Sequence, residues 1–154
     1  MLSRSILLCS LFLLSTSKLT SAGIGQGDIT LWSGNAGTND AVCTLQWTNL
    51  NCPITCEWDF TDAIGDGGCQ NDEARSAVIN SANAGTIISF YDSPERATND
   101  DYVVITVLED IVYPNTVLIP SFELSGSPDP RVSMTFYSNN GLDGKVSNME
   151  VRPT

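Results

Sequence analysis

The chain contains no histidine, and only 7 of its 154 residues are Lys or Arg, against 18 Asp or Glu. Without an imidazole there is no Ser-His-Asp triad, no histidine general base and no His-containing zinc site. A net charge of −11 leaves no basic patch to neutralise nucleic-acid phosphates and no attraction to an anionic membrane. The sequence also lacks a Gly-x-Ser-x-Gly elbow, a glycine-rich phosphate loop and an Asn-x-Ser/Thr glycosylation sequon. Its most apolar stretch, Ile6–Leu14, is nine residues long, well short of the roughly 20 needed to span a bilayer.

That stretch has another reading. Arg4 precedes it and Thr20-Ser21-Ala22 follows it, so residues 1–22 have the charged start, apolar centre and small-residue cleavage site of a secretory signal peptide. The expected product is a secreted, extracellular, monomeric domain over residues 23–154. Cleavage removes Arg4 and Lys18 but no acid, so the mature net charge moves from −11 to −13. Hydrophobic content of 42% lies in the globular range.

Cys9 leaves with the signal, and Cys43, Cys52, Cys56 and Cys69 remain. An even number of cysteines in an exported chain points to two disulfides. The spacings do not form the paired two-residue knuckles of a four-thiolate zinc site. Three connectivities stay open, with Cys52–Cys56 nested inside Cys43–Cys69 the preferred one. All four cysteines lie in the N-terminal half of the mature chain, so the staples act there alone.

The rest of the chain predicts strands and turns. Runs rich in β-branched and aromatic residues occur at Asp28–Trp32, Ala41–Trp47, Ala77–Asn80, Thr86–Tyr91, Tyr102–Leu108, Thr116–Ile119, Val132–Tyr137 and Val146–Val151. Gly, Pro, Asn and Asp punctuate them. In Val132–Tyr137 the residues Val132, Met134 and Phe136 fall on one face. The stretch Glu109–Pro130 holds four of the seven prolines and reads as a surface excursion. One all-β domain, an antiparallel sandwich or barrel, is the expectation.

The two halves echo each other. Strands ending in an aromatic run into small turn-forming segments at Ile29–Asn35 and Ile87–Pro94, and a later polar turn launches a strand at Asn71–Ile79 and at Asp143–Val151. This order is that of a duplicated unit of about sixty residues. At these residues the chain resembles the βγ-crystallin superfamily. Asn71–Ser76 and Asp143–Asn148 are similar to its six-residue turns, and Gly85–Pro94 to its first strand and hairpin. The family's hairpin aromatic and glycine are missing after Tyr91, where Arg96 and Thr98 stand. The resemblance implies an antiparallel β-sandwich of two Greek-key motifs, with calcium bound between the turns and hairpins of the two keys.

Carried onto this chain, the implied calcium positions are unequal. One combines the Ser147 hydroxyl and the Lys145 carbonyl with the Asp72 carboxylate, joined by a carbonyl near Asn35. The other needs a hydroxyl where Arg75 stands and a side-chain oxygen where Gly144 has none, and Arg75 would put a fixed positive charge in the cation's place. At most one competent site follows. The alternative is that both turns merely start strands, since Asn, Asp and Ser bond their own backbone in turns with or without metal. An EF-hand-like match at Asp62–Glu73 fails at its third position, Ile64.

Enzymatic readings are poor. Asp100-Asp101 and Glu109-Asp110 read as solvated strand-end charge, because neighbours on a strand point to opposite faces. A non-catalytic calcium-binding domain of structural or stabilising role is therefore the leading expectation. Two others stand beside it. One is a secreted interaction protein (proteinase inhibitor, toxin or effector) that presents a rigid loop to another extracellular protein. The other is a small lectin that binds glycan through Trp32 or Trp58, although core packing is the commoner use of such tryptophans.

Overall fold

The structure, a computed structural model, describes residues 28–47, 54–62 and 68–154. The expected leader, Cys52 and the centre of the EF-hand-like stretch lie outside them. Among the described residues nine strands occur: β1 Ile29–Trp32, β2 Ala41–Leu45, β3 Cys56–Asp59, β4 Ser76–Ile79, β5 Ile87–Tyr91, β6 Tyr102–Val107, β7 Val117–Ile119, β8 Val132–Tyr137 and β9 Asn148–Arg152. A short 3₁₀ turn, Asn35–Gly37, follows β1. No helix there is long and apolar enough to cross a membrane.

The strands form two antiparallel sheets, ordered β2-β1-β4-β7 and β3-β9-β5-β6-β8. The halves are intertwined. β7 joins the sheet built from the first half, and β3 joins the sheet built from the second. Eight of the nine strands fall on runs expected from the sequence. The exception is β3, whose four residues carry two acids. Its signal was alternation: Cys56 and Trp58 are buried, while Glu57 and Asp59 face out and pair with β9 at Glu150 and Asn148.

Alternation also explains the core. Val103, Ile105 and Val107 on β6 and Val132 and Met134 on β8 point inward, where burying apolar area supplies the main driving force. Phe90 and Phe122 stack at 4.4 Å between centroids. On the opposite face Tyr91, Tyr102 and Tyr137 sit in register on neighbouring strands, with stacked rings 5.9 and 4.3 Å apart. Trp47 and Trp58 are core side chains, so neither offers a ring face for stacking on a sugar.

Cys43 on β2 and Cys69 are bonded, with Cα atoms 4.9 Å apart. Cys56 is also disulfide-bonded; its expected partner, Cys52, lies outside the described residues. The Cys43–Cys69 link closes a segment of 26 residues. Replacing both cysteines with alanine is expected to cost about 3.5 kcal/mol of stability by loop-closure entropy. Urea unfolding checks this, and an unchanged midpoint would show that the cross-link is energetically silent.

Candidate cation site

Each polar turn is docked on the hairpin of its own half. The Arg75 amide donates to the Trp32 carbonyl, and the Ser147 amide donates to the Tyr91 carbonyl, both at 2.8 Å. The turns also grip each other. The Asp72 amide donates to Val146 O at 3.2 Å, and the Gly144 amide donates to Ala74 O at 2.9 Å. These pairs relate residues 72, 74 and 75 to residues 144, 146 and 147 by an approximate two-fold axis. Both hairpins hold a residue with left-handed backbone, Ala36 and Arg96, each at φ 58°. Arg96 thus occupies a conformation that glycine adopts at less cost.

The second hairpin carries the acids. Carboxylate oxygens of Asp92, Asp100 and Asp101 lie within 4.8 Å of one another. Asp92 and Asp101 face each other across the top of the hairpin, where the Asp92 amide donates to the Asp101 carbonyl at 3.0 Å. Beside them, the Ser147 hydroxyl donates to the Lys145 carbonyl at 3.5 Å. The Lys145 ammonium is the nearby positive charge; it donates to the Asn140 carbonyl at 3.2 Å and to the Asn140 side-chain oxygen.

The acids differ in state. Burial, followed by the charge of Asp100 and with smaller contributions from Asp101 and Asp72, pushes Asp92 above the ordinary carboxylate value; Lys145 offsets part of this. Burial also opposes ionisation of Asp101, but the backbone amides of Asn139, Asn140 and Gly141 outweigh it and hold that carboxyl low. The Asn139 and Asn140 amides reach it at 2.6 and 2.8 Å. Asp101 therefore ties down the loop after β8, while burial and the neighbouring carboxylates make ionisation of Asp92 costly.

The first hairpin differs. Ser76 donates to Gly34 O at 2.6 Å and accepts from the Gly37 amide at 2.9 Å. Asp143 accepts from the Ser121 hydroxyl at 2.9 Å and the Phe122 amide at 3.0 Å, with Asn35 beside it. Burial raises Asp143, and Glu123 adds to the shift.

Asp72, Lys145 and Ser147 thus come together through the Asp72–Val146 bond. Asn35 lies beside Asp143, the first residue of the second turn, which reaches across to the first hairpin. The hairpin beside Ser147 is β5–β6, and it supplies Asp92, Asp100 and Asp101 instead. The reading of Asp100-Asp101 as solvated strand-end charge is corrected: Asp101 is fully buried. The missed signal was the mirrored pair Tyr91-Asp92 and Asp101-Tyr102, which flanks the hairpin with acids at both strand ends.

These oxygens suit a hard cation such as calcium, which favours carboxylates, hydroxyls and backbone carbonyls. Compared with known protein families, curated proteins and solved structures, the chain matches none.

Asp101 carries a pH signature. A carboxyl held below its unfolded value contributes stability that is present above about pH 4 and is lost as pH falls through the folded value. Asp101→Asn puts an amide group against backbone donors and is expected to cost about 2–3 kcal/mol at pH 7. Urea unfolding between pH 3 and 7 should show a weaker acid dependence in this variant than in wild type. A parallel profile would remove Asp101 from the role.

Proposed function

We propose that this chain is a secreted, non-catalytic βγ-crystallin-like domain that binds one calcium ion in a structural, stabilising role. The carrying observation is the convergence of the Asp92, Asp100 and Asp101 oxygens within 4.8 Å on the hairpin that receives the Ser147 turn. The strand order supports the family reading. The four-stranded sheet holds the first, second and fourth strands of the first half with the third of the second, and the five-stranded sheet holds the other four strands of the second half with the third of the first; such an exchange is compatible with two intertwined Greek keys. Asp72, the Ser147 hydroxyl and the Lys145 carbonyl complete the proposed ligand set with the hairpin acids. Fold alone does not decide function; the oxygen set is what supports the calcium reading.

Calcium would neutralise the carboxylates whose charge raises the cost of ionising Asp92. For affinities of about 10⁻⁴–10⁻³ M, usual for extracellular modules, 10 mM calcium is expected to add about 1.4–2.7 kcal/mol. The thermal midpoint should rise by several degrees over the chelated protein. Asp92 gives the sharper test. A carboxyl raised in the folded state is destabilising once ionised, so Asp92→Asn should raise the midpoint in chelator at pH 7. The same variant should weaken calcium binding at least about tenfold. No calcium heat by calorimetry at millimolar concentration would sink the proposal.

One observation favours the interaction-protein reading as a second function on the same fold. Val112 and Tyr113 are 64% and 65% exposed at the tip of a braced loop. Ile111 and Ala82 exchange backbone bonds at its base, and Arg131 donates to Asn115 O at 2.6 Å and Thr116 O at 3.0 Å. Asp129 holds that guanidinium at 2.8 Å. A preorganised apolar tip binds with little ordering cost. Its partner would offer an apolar pocket rimmed by positive charge, matching Glu109 and Asp110. Inhibition assays against extracellular proteinases, comparing wild type with Val112→Ser/Tyr113→Ser, check this. Identical profiles with no inhibition by either would exclude the proteinase form of the reading.

A further inference from the structure

We infer that Arg75 is a built-in cation. Its guanidinium takes the place, in the first half, that a metal ion takes in the second, so it limits the domain to one ion and fixes the first turn without metal. The comparison rests on the calcium reading of the Asp92 side; the role of Arg75 itself does not.

The two-fold relation sets the equivalences. Arg75 stands where Ser147 stands, and Gly144 where Asp72 stands, each pair defined by matching backbone bonds. Asp72 and Gly144 share the left-handed conformation, at φ 60° and 78°. A metal on this side would therefore lose one hydroxyl and one carboxylate. What fills the space is visible. Arg75 Nη1 donates to the Asp143 carbonyl at 3.2 Å. A Cβ placed on Gly144 would lie 2.6 Å from Nη2, 2.8 Å from Cζ and 3.2 Å from Nη1 of Arg75. The guanidinium thus lies over the bare glycine, in the volume that a side chain at this position would enter. It satisfies a backbone oxygen as a coordinated cation would, and its charge is permanent. Arg75 and Gly144 form a matched pair: the long side chain is accommodated because its neighbour has none.

Four proteins test this: wild type, Arg75→Ser, Gly144→Ala and the double variant, each melted in chelator. If the guanidinium holds the turn, Arg75→Ser lowers the midpoint by about 3 °C. Gly144→Ala should cost less in the Arg75→Ser chain than in wild type, because the crowding is gone while the backbone strain at positive φ remains. Strictly additive losses, or no loss for Arg75→Ser, would overturn the inference whether or not calcium binds anywhere. Calorimetry then supplies the second arm with Arg75→Ser/Gly144→Asp. Aspartate suits this position because Asp72 already adopts the same conformation. Against a wild type that binds one ion, the variant should bind two. An unchanged stoichiometry in a variant whose near-ultraviolet dichroism is native would also overturn it. A wild type that binds none would defeat the calcium reading alone and leave the chelator melts to judge Arg75.

Discussion

The reciprocal clamp between the two polar turns is the contact on which the rest of the molecule depends. Arg75 and Ser147 each donate a backbone amide to the carbonyl of a strand-ending aromatic, Trp32 and Tyr91, and the turns bond to each other through Asp72–Val146 and Gly144–Ala74. Backbone donors buried away from water must be paired, and this arrangement pairs them between sequence-distant segments. It fixes where the last strand of each half starts. It also mixes the halves, so that Asp72 from one turn meets Lys145 and Ser147 from the other. Neither half carries the oxygen set by itself.

Charge is distributed around that clamp unevenly. The second hairpin gathers Asp92, Asp100 and Asp101 beside Lys145, whereas the first holds Ser76 bonded to Gly34 and Gly37. Within the acidic group the same burial has opposite outcomes. Asp101 is held ionised by backbone amides that point at it, and Asp92, facing other carboxylates, is raised. The acid that is fully satisfied organises the loop after β8. Asp92 is the one whose ionisation burial and the neighbouring carboxylates oppose.

The halves are stiffened by different chemistry. In the first, the Cys43–Cys69 bond ties β2 to the start of the polar turn. In the second, carboxylates do comparable work. Glu123 accepts from the Leu142 and Asp143 amides at 2.8 and 3.0 Å, and the Asp129–Arg131 fork holds the loop before β7. Those bonds act on backbone groups that a cross-link would otherwise need to constrain. They leave Val112 and Tyr113 outside the core on a well-held support.

Much of this was legible in the residues. Alternation and turn chemistry located eight strands, since period-two burial is a local property; the duplicated order of aromatic-ended strand and polar turn placed both turns. The absent histidine and the single arginine in the first turn are limits that the residues alone impose. What the sequence could not supply was pairing across distance. β3 was missed because its register comes from β9, nearly a hundred residues away. The contact of Asn35 with Asp143 joins the first hairpin to the second turn, and only tertiary docking decides such a meeting. Asp101 looked like surface charge because its burial comes from the loop after β8. Local pattern determines which residues can form strands and turns, whereas the folded chain decides which oxygens share a site, because that depends on contacts between segments that no short window contains.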